Sequence, residues 1–334
     1  MSTVCEYFLE RERQNLSPYA CLTSQTKGRD YPYSPCDFRT EFQRDRDRIT
    51  HCQSFRRLMH KTQVFLAPTG DHYRTRLTHT LEVTQIARIL ARALRLNEDL
   101  AEAAALGHDL GHTPFGHAGE EAMQSLFSKD FTHYKQSLRV VEELENNGKG
   151  LNLTWEVRDG ILNHTGSNMA STLEGVLVKL ADRIAYINHD IDDACRAGLL
   201  RTEEIPADIR AVLGETHGQR IDTMVKSVIE SSTDCDHISM QPEIQQATDE
   251  LRRFLFANVY TNSEAKTEDG KAKGILAALF EMYVKYPERM PAFYQGRCER
   301  EGVERCVCDF ISGMTDRYAI DTYKHLYIPK VWKV

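Results

Sequence analysis

Four residues combine types and settings suited to holding a divalent cation: His79, the adjacent pair His108 and Asp109, and Asp182. Each interrupts a strongly apolar helical run, where an uncompensated ionisable group is costly. A polar side chain hydrogen-bonded at a helix interface would explain any one of them. Three converging helices, however, would gather two imidazoles and two carboxylates around one ion. Such a nitrogen and oxygen donor set suits manganese, magnesium, iron or zinc and does not choose among them; Mn2+ or Mg2+ is the expected ion, with iron, cobalt, nickel and zinc left open. Ten of the 13 histidines fall between His51 and His189, so the residue type most used for metal and proton chemistry is crowded into one stretch.

Further polar groups lie close by in sequence. His112 and His117 sit in the segment after His108 and Asp109, where Gly111, Pro114 and Gly116 can shape a helix-to-helix turn. Asp182, Tyr186 and Asp190 are spaced i, i+4, i+8 and rise along one helix face with about 40° of drift per step. A group held near Asp182 would place whatever is attached to it farther along that stripe. Read alone, Tyr186 is core packing and Asp190 a solvated acid. Lys179, one turn before Asp182, is equally a phosphate contact or part of the helix surface.

The order H…HD…D on helices resembles the HD-domain metallohydrolases. The longer string HDLGHTPFGHAGEEA is more specific, and resembles the deoxyguanosine triphosphate triphosphohydrolase (dGTPase-like) family. The likeness extends to RTEFQRDRDRITHCQSFRRLMHKTQVF upstream and DRYAIDTYKHLYIP downstream, so it spans nearly the whole chain apart from about 200–275. It implies an HD-type core over 1–200 with N-terminal helices, and a C-terminal helical extension, 201–334, packed on it as one unit. It also implies hydrolysis of deoxynucleoside triphosphates, dGTP first among them, to deoxynucleoside and inorganic tripolyphosphate.

By the same resemblance His79, His108, Asp109 and Asp182 match metal ligands. His117 matches the catalytic histidine at the scissile bond, where a general acid would protonate the departing 5′ oxygen. Glu120 matches an acidic partner orienting that imidazole, and His112 a histidine facing the phosphates. Arg76 matches a phosphate-holding arginine, for which a guanidinium fork is well shaped. Tyr186 matches a tyrosine at the sugar-phosphate region and Asp190 the acid receiving the 3′ hydroxyl. Arg183 falls where the wider family carries a basic residue, and Gln63 matches a glutamine near the base edge. A homo-oligomer and a nucleotide activator are implied as well.

The elements that must position these groups are helical. Residues 38–60 read as one or two amphipathic helices, whose run DFRTEFQRDRDR reads as a solvated face with i,i+4 pairs. A turn-rich stretch, APTGDHYRTR, is punctuated by Pro68 and Gly70. Apolar positions at three and four predict a helix over 77–96 and another over 173–194. Asn97 is placed to N-cap the helix EDLAEAAALGHDL, and a further helix should begin near Gly119. SSTDCDHISMQP and TNSEAKTEDGKAKG read as loops flanking a helix at 243–260, with the last helices over 275–325. Runs of alternating β-branched residues are scarce, and the class is all-α.

Composition bounds the rest. Forty-one percent of residues are hydrophobic and 27% charged, and no apolar run approaches 18 residues, which excludes low-complexity classes and a membrane span. The start, MSTVCEYFLERER, lacks a secretory pattern. Nine irregularly spaced cysteines read as reduced thiols in a cytoplasmic protein. A net charge of −7 argues against a broad nucleic-acid surface, so single-stranded DNA binding gains no support from it. An HD-type nucleotidase acting on monophosphates would need the same metal set but not the HTPFGH loop. A nucleotide-sensing regulator retaining the fold is the non-enzyme alternative. A tetraphosphate hydrolase or cyclic dinucleotide phosphodiesterase fits less well, since acidic residues and a Gly-Tyr-Pro are absent after the doublet.

Overall fold

Three side-chain caps begin the helices that matter most. Thr75 accepts the Thr78 N–H and opens α3, Arg76–Ala93. Asn97 accepts the Leu100 N–H at 3.2 Å and opens α4, Glu98–Gly107, as expected. Thr172 accepts the Gly175 N–H at 3.2 Å and opens α8, Leu173–Arg196. Each cap satisfies an amide that the first helical turn leaves unpaired.

Around these three run α1 (Val4–Asn15), α2 (Glu41–His51), α5 (Gly116–Leu126), α6 (His133–Arg139) and α7 (Trp155–Asn163). Then come α9 (His217–Ser232), α10 (Pro242–Asn258), α11 (Ser263–Lys285), α12 (Val303–Ser312) and α13 (Asp316–Tyr327). The computed structural model describes residues 3–63, 74–259 and 263–330. The turn-rich stretch around Pro68 and Gly70 lies outside the described residues. Among them there is no strand, only an isolated bridge between Thr62 and Thr75, so the all-α class holds. No helix among them is long and apolar enough to cross a membrane.

The first core cluster joins α3, α4 and α8 through Val83, Ile86, Leu90, Ala101, Ala104, Leu177, Ala181 and Ile184. The alanines of α4 let its neighbours come close. A Cβ on Gly160 of α7 would meet the Ala104 Cβ at 2.8 Å, so small residues set that helix spacing. Met224, Val228, Leu251 and Leu255 bring α9 and α10 into the same cluster. A second cluster joins α5 to α11, α12 and α13 through Phe115, Met123, Leu276, Leu279, Phe310, Ile311 and Ala319. The C-terminal third therefore grips the chain just after the His108–Asp109 pair, on helix α5.

Two sequence expectations are corrected. TNSEAKTEDGKAKG is not a loop from residue 263 onward, because α11 runs through it. Its polarity belongs to one face, where Lys271 pairs with Glu268, while Ala272 and Leu276 are buried against α5. The charges of α2 are not simply a solvated face either. Asp45 is fully buried, accepts the Thr154 N–H at 2.8 Å and pairs with Arg29, and Arg44 is buried beside Glu41. The cysteines are all free thiols, and Cys306 and Cys308 are simply buried in the second cluster.

Candidate active site

The first turn of α3 places Arg76 and His79 on one face, and both are buried. His108 stands at the end of α4 with Asp109 beside it, and Asp182 lies mid-way along α8. The three helices bring all four expected ligands together. His79 Nε2 is 3.1 Å from Asp182 Oδ1 and 4.0 Å from Asp109 Oδ2. His108 Nε2 is 3.4 Å from Asp109 Oδ1 and 3.9 Å from Asp182 Oδ1.

The backs of both imidazoles are fixed. His108 Nδ1 lies 2.6 Å from the Ala105 carbonyl, a donor's position, which turns Nε2 inward. That Nε2 is buried without a hydrogen-bond partner among the described residues. His79 Nδ1 is 3.2 Å from His189 Nδ1, and His189 Nε2 is 3.2 Å from Glu82. Outer partners of this kind orient metal-binding histidines. An orphaned imidazole nitrogen facing two carboxylates and a second imidazole is a donor set that fits a divalent ion.

Electrostatics agree. Burial pushes the Asp109 carboxyl upward, but His108, His112 and Arg76 outweigh it and hold the group well below the usual carboxylate range. Asp182 is lowered against its own burial by the His79 hydrogen bond and the neighbouring imidazoles. Both shifts run toward the carboxylate form, which is the form that ligates a cation.

The segment after Asp109 depends on Gly111. A Cβ there would meet the Ser137 amide nitrogen at 2.1 Å and the Gln136 carbonyl carbon at 2.3 Å, both backbone atoms. This close approach lets the Gly111 N–H donate to Ser137 Oγ at 2.9 Å, while that hydroxyl donates to the His108 carbonyl at 2.7 Å. Gly111→Ala is expected to cost about 2 kcal/mol or more by overpacking. A lower melting temperature in thermal denaturation, with activity falling alongside it, is the corresponding readout.

Helix α6, so placed, delivers a histidine that the sequence reading left without a role. His133 stacks on His112 with centroids 4.0 Å apart, and its Nε2 is 3.3 Å from His164 Nε2. The Glu120 carboxylate goes to His133, at 3.0 Å from its amide and 2.9 Å from Nδ1. Glu120 was expected to orient His117; its hydrogen bonds instead hold the neighbour of His112, because the start of α6 abuts the second turn of α5. His117 itself stands exposed at the start of α5, its ring 6.3 Å from that of His112. The protein atoms crowded around one side of the ring, then Arg76 and His133, lower its basicity, with Glu120 and Asp109 opposing, while its outer face stays open to solvent.

The remaining expected residues separate into those at the centre and those turned elsewhere. Arg76 Nη1 pairs with Asp109 Oδ2 at 2.7 Å, so the guanidinium expected at phosphate oxygens reaches the ligand set directly. His112 Nε2 is 3.3 Å from Asp109 Oδ1. Tyr186 and Asp190 share the continuous helix α8 with Asp182, about 6 and 12 Å farther along its axis. Tyr186 is half-buried against the first core, which pushes its hydroxyl up to about 12. Asp190 is buried, unlike the solvated acid that its sequence context suggested.

Gln63 is nearly buried, and its Oε1 has no hydrogen-bond partner among the described residues. Lys179 gives its ammonium to the carbonyls of Gly166 at 2.7 Å and Asn168 at 2.8 Å, which makes it a clasp for that loop. Arg183 lies 3.6 Å from Asp249 of α10.

Comparison with known proteins bears on this centre. Residues 76–187 match the HD domain and residues 238–325 the phosphohydrolase-associated domain. A deoxyguanosinetriphosphate triphosphohydrolase-like protein of Caldanaerobacter subterraneus subsp. tengcongensis is 57% identical over 323 residues, covering 97% of this chain and 95% of that one. A protein of the same description from Clostridium tetani is 48% identical over 96% of this chain and 95% of its own. A phosphohydrolase structure from Bacteroides thetaiotaomicron shares the fold, with TM-score 0.54 at 18% identity over 84% of this chain and 67% of that one. With an HD-domain match over residues 76–187, the stretch within which His79, His108, Asp109 and Asp182 converge, and relatives of this identity along nearly its full length, the chain belongs to the deoxyguanosinetriphosphate triphosphohydrolase-like family of HD-domain metal-dependent phosphohydrolases.

Proposed function

We propose that this protein hydrolyses deoxynucleoside triphosphates, dGTP foremost, to deoxynucleoside and inorganic tripolyphosphate, with Mn2+ or Mg2+ as its cofactor. The observation that carries this reading is the adjacency of two groups of residues. The two-histidine, two-carboxylate centre holds His112 against Asp109, and the same short loop presents His117 beside it. Monophosphate hydrolysis needs the first group alone.

His79, His108, Asp109 and Asp182 would hold the ion. When bound, it supplies Lewis-acid polarisation of a phosphate oxygen and a more acidic water. Arg76 offers positive charge and donors to the phosphate chain, and His112, whose pKa burial and Arg76 hold well below the usual imidazole range, offers an uncharged ring beside it. His117 holds the proton needed by the 5′ oxygen: water's oxygen joins the α-phosphorus, the bond to the 5′ oxygen breaks, and that oxygen leaves as a hydroxyl. Glu120 acts through His133, which braces His112 from behind. Tyr186 and Asp190 would line the sugar, Asp190 receiving the 3′ hydroxyl, and Gln63 would meet the base. Arg183 and Lys179 would reach the phosphates only by exchanging Asp249 and the Gly166 and Asn168 carbonyls for them.

The proposal includes a core over 1–200 with 201–334 packed on it, a cytoplasmic location, a homo-oligomer and regulation by a nucleotide activator. Incubation with each deoxynucleoside triphosphate and Mn2+ or Mg2+ should release tripolyphosphate and deoxynucleoside, resolved by ion-exchange chromatography. Pyrophosphate with monophosphate would sink the proposed bond cleavage. Turnover of none of the substrates under any metal would favour the sensor.

A further inference from the structure

The turn that delivers His117 has a backbone that a side chain-bearing residue disfavours. Phe115 sits at φ +66 and ψ 25, in the left-handed region, and Gly116 follows at φ +55. Glycine tolerates this freely; phenylalanine does so only where its surroundings impose it. Those surroundings come from the other end of the chain. The Phe115 ring is buried in the second cluster with residues of α11 and α12, and its N–H donates to Asp316 Oδ1 at 2.9 Å.

Asp316 is the first residue of α13 and is nearly buried. Its other oxygen, Oδ2, accepts the Thr62 N–H at 2.9 Å and the Thr62 hydroxyl. One carboxylate therefore joins the His117 turn to the segment whose Lys61 carbonyl accepts the Arg76 N–H at 3.0 Å. A second tie lies at the other end of the same turn. The buried Lys61 ammonium donates to the His112 carbonyl and to the Ser312 carbonyl, the latter at 2.8 Å.

We infer that Asp316, outside the HD core, is a positioning residue for His117: its carboxylate fixes Phe115 in the left-handed turn that aims the imidazole at the phosphates. This rests on the proposed role of His117 as general acid. Asp316 touches neither the expected ligands nor the α8 stripe, so it should affect proton delivery and leave ion binding alone.

The test uses the full-length, metal-loaded protein. Asp316→Asn keeps the side chain's shape, but its amide nitrogen cannot accept, so the bonds to Phe115 and Thr62 cannot all survive. We expect kcat to fall about 10²-fold, the scale of a small misplacement of a reacting group, with KM and bound metal unchanged. The double variant with His117→Ala should be no slower than His117→Ala alone, since residues acting as one unit are not additive. Thr62→Val removes only the hydroxyl arm and should stay near the wild-type rate.

Wild-type kcat in Asp316→Asn, additive losses in the double variant, loss of metal, or loss of cooperative melting would each overturn the inference. So would a Thr62→Val loss equal to that of Asp316→Asn, since the Thr62 segment would then carry the effect. Wild-type turnover in His117→Ala would instead overturn the general-acid reading itself, which separates the two failures.

Discussion

Asp182→Ala should lose its bound ion and at least about 10³-fold in turnover, the equivalent of the several kcal/mol that a metal contributes to such a reaction. The reason is structural. Asp182 is the one expected ligand supplied by α8, and its Oδ1 faces Nε2 of both His79 and His108. Without it, two buried imidazoles and Asp109 remain, and Asp109 is already engaged by Arg76 at 2.7 Å. Metal content by elemental analysis gives the first readout. A second is thermal: an ion that binds only the folded chain raises the wild-type melting temperature with concentration. The variant's melting temperature should not respond. Full metal retention with full activity would remove Asp182 from the centre.

His117→Ala should behave in the opposite way, keeping its ion while losing about 10²- to 10⁴-fold in kcat, the usual span for a general acid. The pH profile gives a finer test. In the free protein the surrounding protein atoms, then Arg76 and His133, hold the His117 pKa below its ordinary value. A general acid must be protonated, so kcat/KM should fall as pH rises through that lowered value. A bound triphosphate places negative charge beside the imidazole and raises its pKa, so the alkaline fall of kcat should lie at higher pH. Both limbs should vanish in His117→Ala. Loss of the ion in this variant would reassign His117 as a ligand.

Of these two residues, Asp182 stands out in the chain because it breaks an apolar run, whereas His117 is marked only by the resemblance that the string HDLGHTPFGHAGEEA carries. His79, His108 and Asp109 are visible for the same reason as Asp182, and α3, α4 and α8 are visible because their apolar positions recur at three and four. Asn97 is recognisable as a cap from its place before Glu98 and Asp99. The structure adds what spacing does not carry. Glu120 and His117 are three residues apart, which suggests a pair on one helix, yet the start of α6 takes the carboxylate for His133. His133, His164 and His189 are individually ordinary; their roles arise from α6, α7 and α8 converging. The only hint of them is the crowding of histidine itself. The polar stretch up to Gly274 reads as a loop because a helix with one buried face and a charged opposite face can share a loop's composition.

Helix class, the ligand types and the positions of the main helices are local properties, written in periodicity and residue chemistry over a few turns. Partner choice is not local. The Arg76–Asp109 pair spans 33 residues, and the bonds from Asp316 to Phe115 and Thr62 span 201 and 254. Chain folding brings such groups together by packing apolar faces that have no sequence relation to the polar contacts they enable. The buried carboxylates then bind whichever donors that packing supplies, because leaving them unpaired would cost more than the packing could offset.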